Sequence, residues 1–131
     1  MTTYILNSLI VPADLTQPVY IVMRRASVSE VSEILRGGGW ESAVGHEGTA
    51  ALLSKLLGVQ IPTRRVAIQA RPGDTLIHFA LKTRLPEGRV LTEEELQQLQ
   101  FDLVVSEIHA HLVCVSCNEL VYPPSTKVRT E

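Results

Sequence analysis

Short apolar runs separated by turn residues dominate the first quarter of the chain. Tyr4–Val11 is apolar except at Asn7 and Ser8 and is bounded by Pro12, which predicts a buried strand. The two polar residues need partners, either backbone or a ligand. Pro18–Arg25 predicts a second strand with a basic end. The period then lengthens. Val28, Val31, Ile34 and Leu35 fall at helical spacing after Ser27, and Glu30 completes a capping box. Gly37-Gly38-Gly39 should end that helix, and Trp40 should pack on the core. A second apolar helix face, with Ala50, Leu53 and Leu57 flanked by Leu52 and Leu56, predicts a helix from Thr49 to Leu57, stopped by Gly58. Arg64–Ala70 and Thr75–Leu81 read as strands joined by the turn Arg71-Pro72-Gly73-Asp74, and so as an antiparallel pair. Thr92 and Glu95 form another capping box, with Leu96 and Leu99 on the buried side, and Phe101–Val115 reads as a long strand.

Strands interleaved with helices predict an α/β fold: a single compact domain, a mixed β-sheet of about five strands flanked by helices. The domain should span residues 1–117, with 118–131 as a C-terminal tail carrying Pro123-Pro124 and then Ser, Thr, Lys and Arg. The 131 residues suffice for one core, and the shares of hydrophobic residues, 45%, and charged residues, 20%, are ordinary for a globular protein. A net charge of −2 argues against duplex nucleic acid as the partner, so any anion must be met by a local cluster. Two cysteines make no disulfide framework, and no apolar segment approaches a membrane span; a cytoplasmic protein is the expectation.

Candidate chemistry centres on Ser42-Ala43-Val44-Gly45-His46-Glu47-Gly48-Thr49, a glycine-punctuated turn that becomes a helix. Free N–H groups at a helix start, here around Gly48 and Thr49, suit a phosphate. His46 beside them is either an ordinary loop histidine or a proton-transfer group. The three glycines at 37–39 are not a P-loop, since no Lys-Ser or Lys-Thr follows. His78, between apolar neighbours, reads as a satisfied sheet histidine. His109, His111, Cys114 and Cys117 have zinc-ligand chemistry, but four ligands within nine residues would need a sharp bend, and reduced thiols are the plainer expectation. No metal and no cofactor is therefore expected. Arg84 could bind phosphate through its planar fork, with Glu87 orienting a partner or moving a proton, and Arg64 and Arg65 add charge. The residues alone support an anion site and no particular reaction.

Their order is more distinctive. Leu6-Asn7-Ser8, the Gly45-His46 pair at a helix start, Arg65-Val66-Ala67-Ile68, and Arg84-Leu85-Pro86-Glu87-Gly88-Arg89 before a helix resemble the viral type III anti-CRISPR ring nuclease family and its bacterial relatives over residues 3–108. The resemblance implies a homodimer that cleaves cyclic tetra-adenylate without a metal. The ribose 2′-hydroxyl would attack its adjacent phosphorus to leave a 2′,3′-cyclic phosphate, switching off type III CRISPR signalling. It places His46, Arg84 and Glu87 in the catalytic positions. It makes Asn7 and Arg65 ligand contacts, with Ser8, Gly45, Gly48 and Thr49 around them. The chain departs from the family after about Ile108, at Gly48, and at Ala80, where the family carries polar residues. Ring size and affinity are the properties those departures touch. A binder that holds the cyclic oligonucleotide without cleaving it is the alternative.

Overall fold

The computed structural model describes residues 2–82, 92–113 and 120–121. Five strands form one sheet: β1 (Thr3–Leu6), β2 (Tyr20–Arg25), β3 (Trp40–Ser42), β4 (Thr75–Leu81) and β5 (Phe101–His109). Their order across the sheet is β2-β5-β4-β1-β3. Strand β1 runs parallel to both of its neighbours, with Thr3 opposite Trp40 on one side and Thr75 on the other. Strand β5 runs antiparallel to β4 and β2. The α/β class and the mixed five-stranded sheet match the sequence reading.

Helices α1 (Val28–Arg36) and α2 (Glu47–Leu57) cover one face. Their Val31, Leu35, Leu53 and Leu57 meet Ile5, Ile77, Phe79, Leu103 and Val105, all buried. Each such side chain contributes about 1.5–3 kcal/mol relative to exposure. The capping signals work as read. Ser27 Oγ accepts from the Glu30 amide at 3.1 Å, and Thr92 and Glu95 exchange two bonds of 3.2 Å at the start of α3 (Glu93–Gln97). Helix α1 ends at Gly37, and Gly38, with φ +76°, takes the left-handed turn. Trp40 packs against the core, as expected, and its Nε1 donates to the Leu35 carbonyl at 2.8 Å.

The other face carries Leu6, Ala43, Leu76 and Ile108, with Ala70 and Ile68 laid over them. It is less fully covered: Ile21 and Met23 on β2 are open to solvent, and Ile10 and Leu15 in the loop between β1 and β2 are about three-quarters exposed.

Three expectations change. Arg64–Ala70 alternates like a strand but forms none. The place beside β4 that it would have filled belongs to β1 and β5, so the segment is an extended strap fixed at its ends. The Arg64 amide donates to Val44 O, and the Ala70 amide to Pro12 O, each at 2.8 Å. Consequently β4 pairs with β1 and β5, not with the segment before the Arg71–Asp74 turn. The first strand is also shorter than the apolar run, because the chain bends at Asn7–Leu9. Finally, β5 stops at His109. The chain turns, and Leu112–Val113 (β6) pairs antiparallel with Leu120–Val121 (β7), so a short strand lies inside the stretch read as a tail.

Candidate functional site

Because β1, β3 and β4 are parallel, their carboxyl ends lie at one end of the sheet. Ligands of open α/β sheets bind at that end, where loops diverge from the strands. Strand β1 delivers Asn7 and Ser8 there. Strand β3 delivers Ala43, Val44, Gly45 and His46. Strand β4 leads through Lys82 toward Arg84 and Glu87, which lie outside the described residues. Strands far apart in the sequence thus bring Asn7, Ser8, Gly45 and His46 to the same end of the sheet.

His46 is the N-cap of α2, which begins two residues earlier than the apolar pattern suggested. Its Nδ1 accepts from the Thr49 amide at 3.2 Å, in the role usually played by a serine or aspartate oxygen. An acceptor nitrogen carries no proton, so in this geometry the ring's proton is on Nε2, on the far side from the helix. Thr49 Oγ1 also lies 3.2 Å from Nδ1. The hydroxyl can accept from Nδ1–H when the ring is doubly protonated, so Thr49 offers a partner in either state. Thr49 is buried and its amide is engaged by His46, which leaves the amides of Glu47 and Gly48 as the free donors of the helix start.

Gly48 has a specific reason to be glycine. A Cβ there would stand 3.1 Å from His46 Cε1 and 3.4 Å from Nδ1, so the imidazole folds back over it. Gly45 is under no such constraint: a Cβ would meet Arg65 Cγ at 3.5 Å and its Cα at 3.6 Å, ordinary contact distances that show how near the strap lies. The strap therefore passes directly over Gly45. It is held in place by the Ser42 hydroxyl, which donates to Pro62 O at 2.6 Å, and by the Arg64 amide bond to Val44. Upstream, Ser54 Oγ accepts from the Ile61 amide at 2.8 Å. Arg65 is exposed beside the helix start.

His78 is wholly buried, as a satisfied sheet histidine. Its Nδ1 lies 2.8 Å from the Ser8 carbonyl and its Nε2 2.7 Å from Ser106 Oγ. Burial pushes its pKa down; the bond to Ser8 opposes this in part. His109 ends β5 and His111 follows in the turn, while Cys114 and Cys117 lie outside the described residues.

Sequence reasoning missed one charged group at this end of the sheet. Asp102 Oδ1 sits 3.5 Å from Lys82 Nζ and 3.4 Å from Arg25 Nη1. Only the pairing of β5 with β4 on one side and β2 on the other brings these three together, so no local motif could reveal them. A separate open concavity of about 920 Å³ is lined by Tyr4, Glu41, Arg64, Gln69, Arg71 and Asp74, among others, and by none of the residues expected in the site. Glu41 pairs with Arg64 there, and the Asp74 carboxylate accepts from the Thr2 and Arg71 amides. Of its two carboxylates, Asp74 ties the N-terminus to the Arg71–Asp74 turn, while the Glu41–Arg64 pair is half-exposed.

The class is an α/β protein with helices on one sheet face and a polar, partly basic rim at the carboxyl ends of its parallel strands. Within that class, the chain belongs to the STIV B116-like family, whose model matches residues 3–103. It is 39% identical over 106 residues to uncharacterized protein 26 of Sulfolobus islandicus filamentous virus, covering 80% of this chain and 90% of that one. It is 41% identical over 103 residues to uncharacterized protein ORF117 of Acidianus two-tailed virus, covering 76% and 87%. A bacterial relative, uncharacterized protein YddF of Bacillus subtilis, is 33% identical over 98 residues, covering 73% and 87%. In fold the chain resembles B116 of Sulfolobus turreted icosahedral virus, with a TM-score of 0.72 at 20% identity over 82% of this chain and 99% of that one. No helix among the described residues is long and apolar enough to cross a membrane.

Proposed function

We propose that this protein is a metal-independent ring nuclease that opens cyclic tetra-adenylate, and so ends type III CRISPR signalling. The observation that carries the reading is His46. Its Nδ1 is tied to its own helix by Thr49, and Nε2 is left as the working nitrogen at the rim that β1, β3 and β4 share. The reaction forms a bond from the ribose 2′-oxygen to phosphorus and breaks the bond from phosphorus to the 5′-oxygen. The 2′-hydroxyl loses a proton and the 5′-oxygen gains one. The leaving alkoxide is poor, so protonating it in the transition state gives the largest benefit, and an imidazole suits that task. His46 Nε2–H is the donor, with Thr49 Oγ1 able to accept from Nδ1–H while the ring is charged. Arg84 stabilises charge on the phosphoryl oxygens, and Glu87 orients His46. Asn7, Ser8 and Arg65 contact the ring, and the amides of Glu47 and Gly48 receive a phosphate.

A ring of four identical nucleotides is compatible with two-fold symmetry, and a homodimer would present two copies of His46 to it. The incompletely covered sheet face, with Leu9, Ile10, Leu15, Ile21 and Met23 exposed, leaves apolar surface for a second copy.

The test is incubation of the purified protein with labelled cyclic tetra-adenylate in EDTA. Linear product ending in a 2′,3′-cyclic phosphate, beyond one equivalent of protein, is expected. His46→Ala should remove most turnover while retaining binding. Unchanged turnover in that variant refutes the assignment of His46. Tight retention of intact ring by the wild type would make the protein a binder instead.

A further inference from the structure

Resting on that reading, we infer that His78 is a positioning residue for ligand binding, holding the bend that carries Asn7 and Ser8 at the rim. A carbonyl oxygen can only accept, so the 2.8 Å contact between His78 Nδ1 and Ser8 O requires the proton on Nδ1. The neutral ring then accepts at Nε2 from the Ser106 hydroxyl at 2.7 Å. Both nitrogens are satisfied, the tautomer is fixed, and the side chain is wholly buried. The link runs from β5 through β4 to the first residues beyond β1. Those residues have left the sheet: β1 ends at Leu6 and the chain bends at Asn7–Leu9. Asn7 is exposed, so its direction depends on the bend being held. The His78 imidazole is the described side chain that anchors the bend's backbone to the sheet core. A leucine or phenylalanine would fill the space more cheaply. The conformation of the bend is what a buried polar residue here secures.

Two variants separate this role from packing. The amide of asparagine falls near the place of Nδ1 and that of glutamine near Nε2. His78→Asn can keep the bond to Ser8 O and lose Ser106; His78→Gln can keep Ser106 and lose Ser8. Each puts a neutral amide in the same buried slot. His78→Gln should raise KM for cyclic tetra-adenylate about tenfold, the ratio that corresponds to about 1.4 kcal/mol of binding free energy, with kcat within about twofold. His78→Asn should keep KM within about twofold of wild type. Amide hydrogen exchange in the free protein should quicken at residues 7–10 in the glutamine variant and stay near wild type in the asparagine variant. Should both fail to fold, Ser106→Ala, which removes the Ser106 hydroxyl and leaves the bond to Ser8 O, should keep KM within about twofold of wild type and exchange at residues 7–10 unchanged, and a tenfold rise in KM there overturns the inference. Equal KM in the two His78 variants, or loss of kcat at constant KM, overturns the inference and leaves the ring-nuclease reading standing. A wild-type protein that neither binds nor opens the ring overturns that reading, and this inference falls with it.

Discussion

Replacing Gly48 with alanine should separate activity from stability. Position 48 lies in the first turn of α2, with no left-handed torsion to forbid a side chain. On propensity alone, alanine would stabilise the helix by about 0.5–1 kcal/mol. The added methyl, however, stands 3.1 Å from His46 Cε1, a tight contact that obliges the imidazole to give by at least a few tenths of an ångström. His46 is exposed and free to swing aside. Doing so breaks the cap on the Thr49 amide, a loss of about 1 kcal/mol. The two effects nearly cancel, so Tm should move by no more than about 4 °C. Where the imidazole swings out of its place, an ångström of misplacement at a reacting group costs about a hundredfold in rate. A smaller relaxation of a few tenths of an ångström would cost less. A fall of about 10–100-fold in single-turnover cleavage is expected. Imidazole nitrogen NMR supplies the mechanism: wild type should show the Nε2–H tautomer, and the variant a mixture. Full activity in Gly48→Ala together with an unchanged tautomer signal would refute the argument that the bare glycine fixes His46.

Other outcomes follow from the same contacts. Acidification should destabilise the protein through His78. Burial holds its folded pKa below the ordinary 6.5, so the unfolded chain binds the proton more readily. This stability is complete above the unfolded value and is lost as pH falls through the folded one, by up to about 1.4 kcal/mol per pH unit between the two. Thermal melts from pH 8 downward should therefore show an acid limb that His78→Asn flattens. Ser54→Ala leaves the Ile61 amide without its partner at 2.8 Å and should cost about 1–3 kcal/mol in urea unfolding. Since Ile61 lies just before the strap that carries Arg65, the same variant should also weaken ring binding.

Local chemistry was legible in the sequence, and long-range pairing was not. Ser27 with Glu30, and Thr92 with Glu95, marked two helix starts because capping is settled within four residues. His78 read correctly because apolar neighbours on a strand leave a histidine little choice but burial. The Arg64–Ala70 segment misled for the opposite reason. Alternation shows that a segment can be extended, but it does not show whether a neighbouring strand has room for it. Strand β3 has only three residues, too few for any period to register. The cap role of His46 was hidden because histidine is not among the usual capping residues, and the meaning of Gly48 depends on where that ring lies. In the candidate site, Asn7, His46 and Arg65 can be followed into the fold, whereas Arg84 and Glu87 fall outside the described residues.

The central position of β1 bears on how the chain folds. The first strand to be synthesised has both of its partners still to come, one after α1 and the other after α2. The sheet cannot close until β5 arrives beside β4. Sheets dominated by such distant pairings fold slowly, since each loop must close before its contacts form. During that interval the apolar residues of β1 wait unpaired, a state open to chaperones or to aggregation. Refolding should accordingly be slower than for a helical protein of this length, with α1 and α2 forming ahead of the parallel strands they cover.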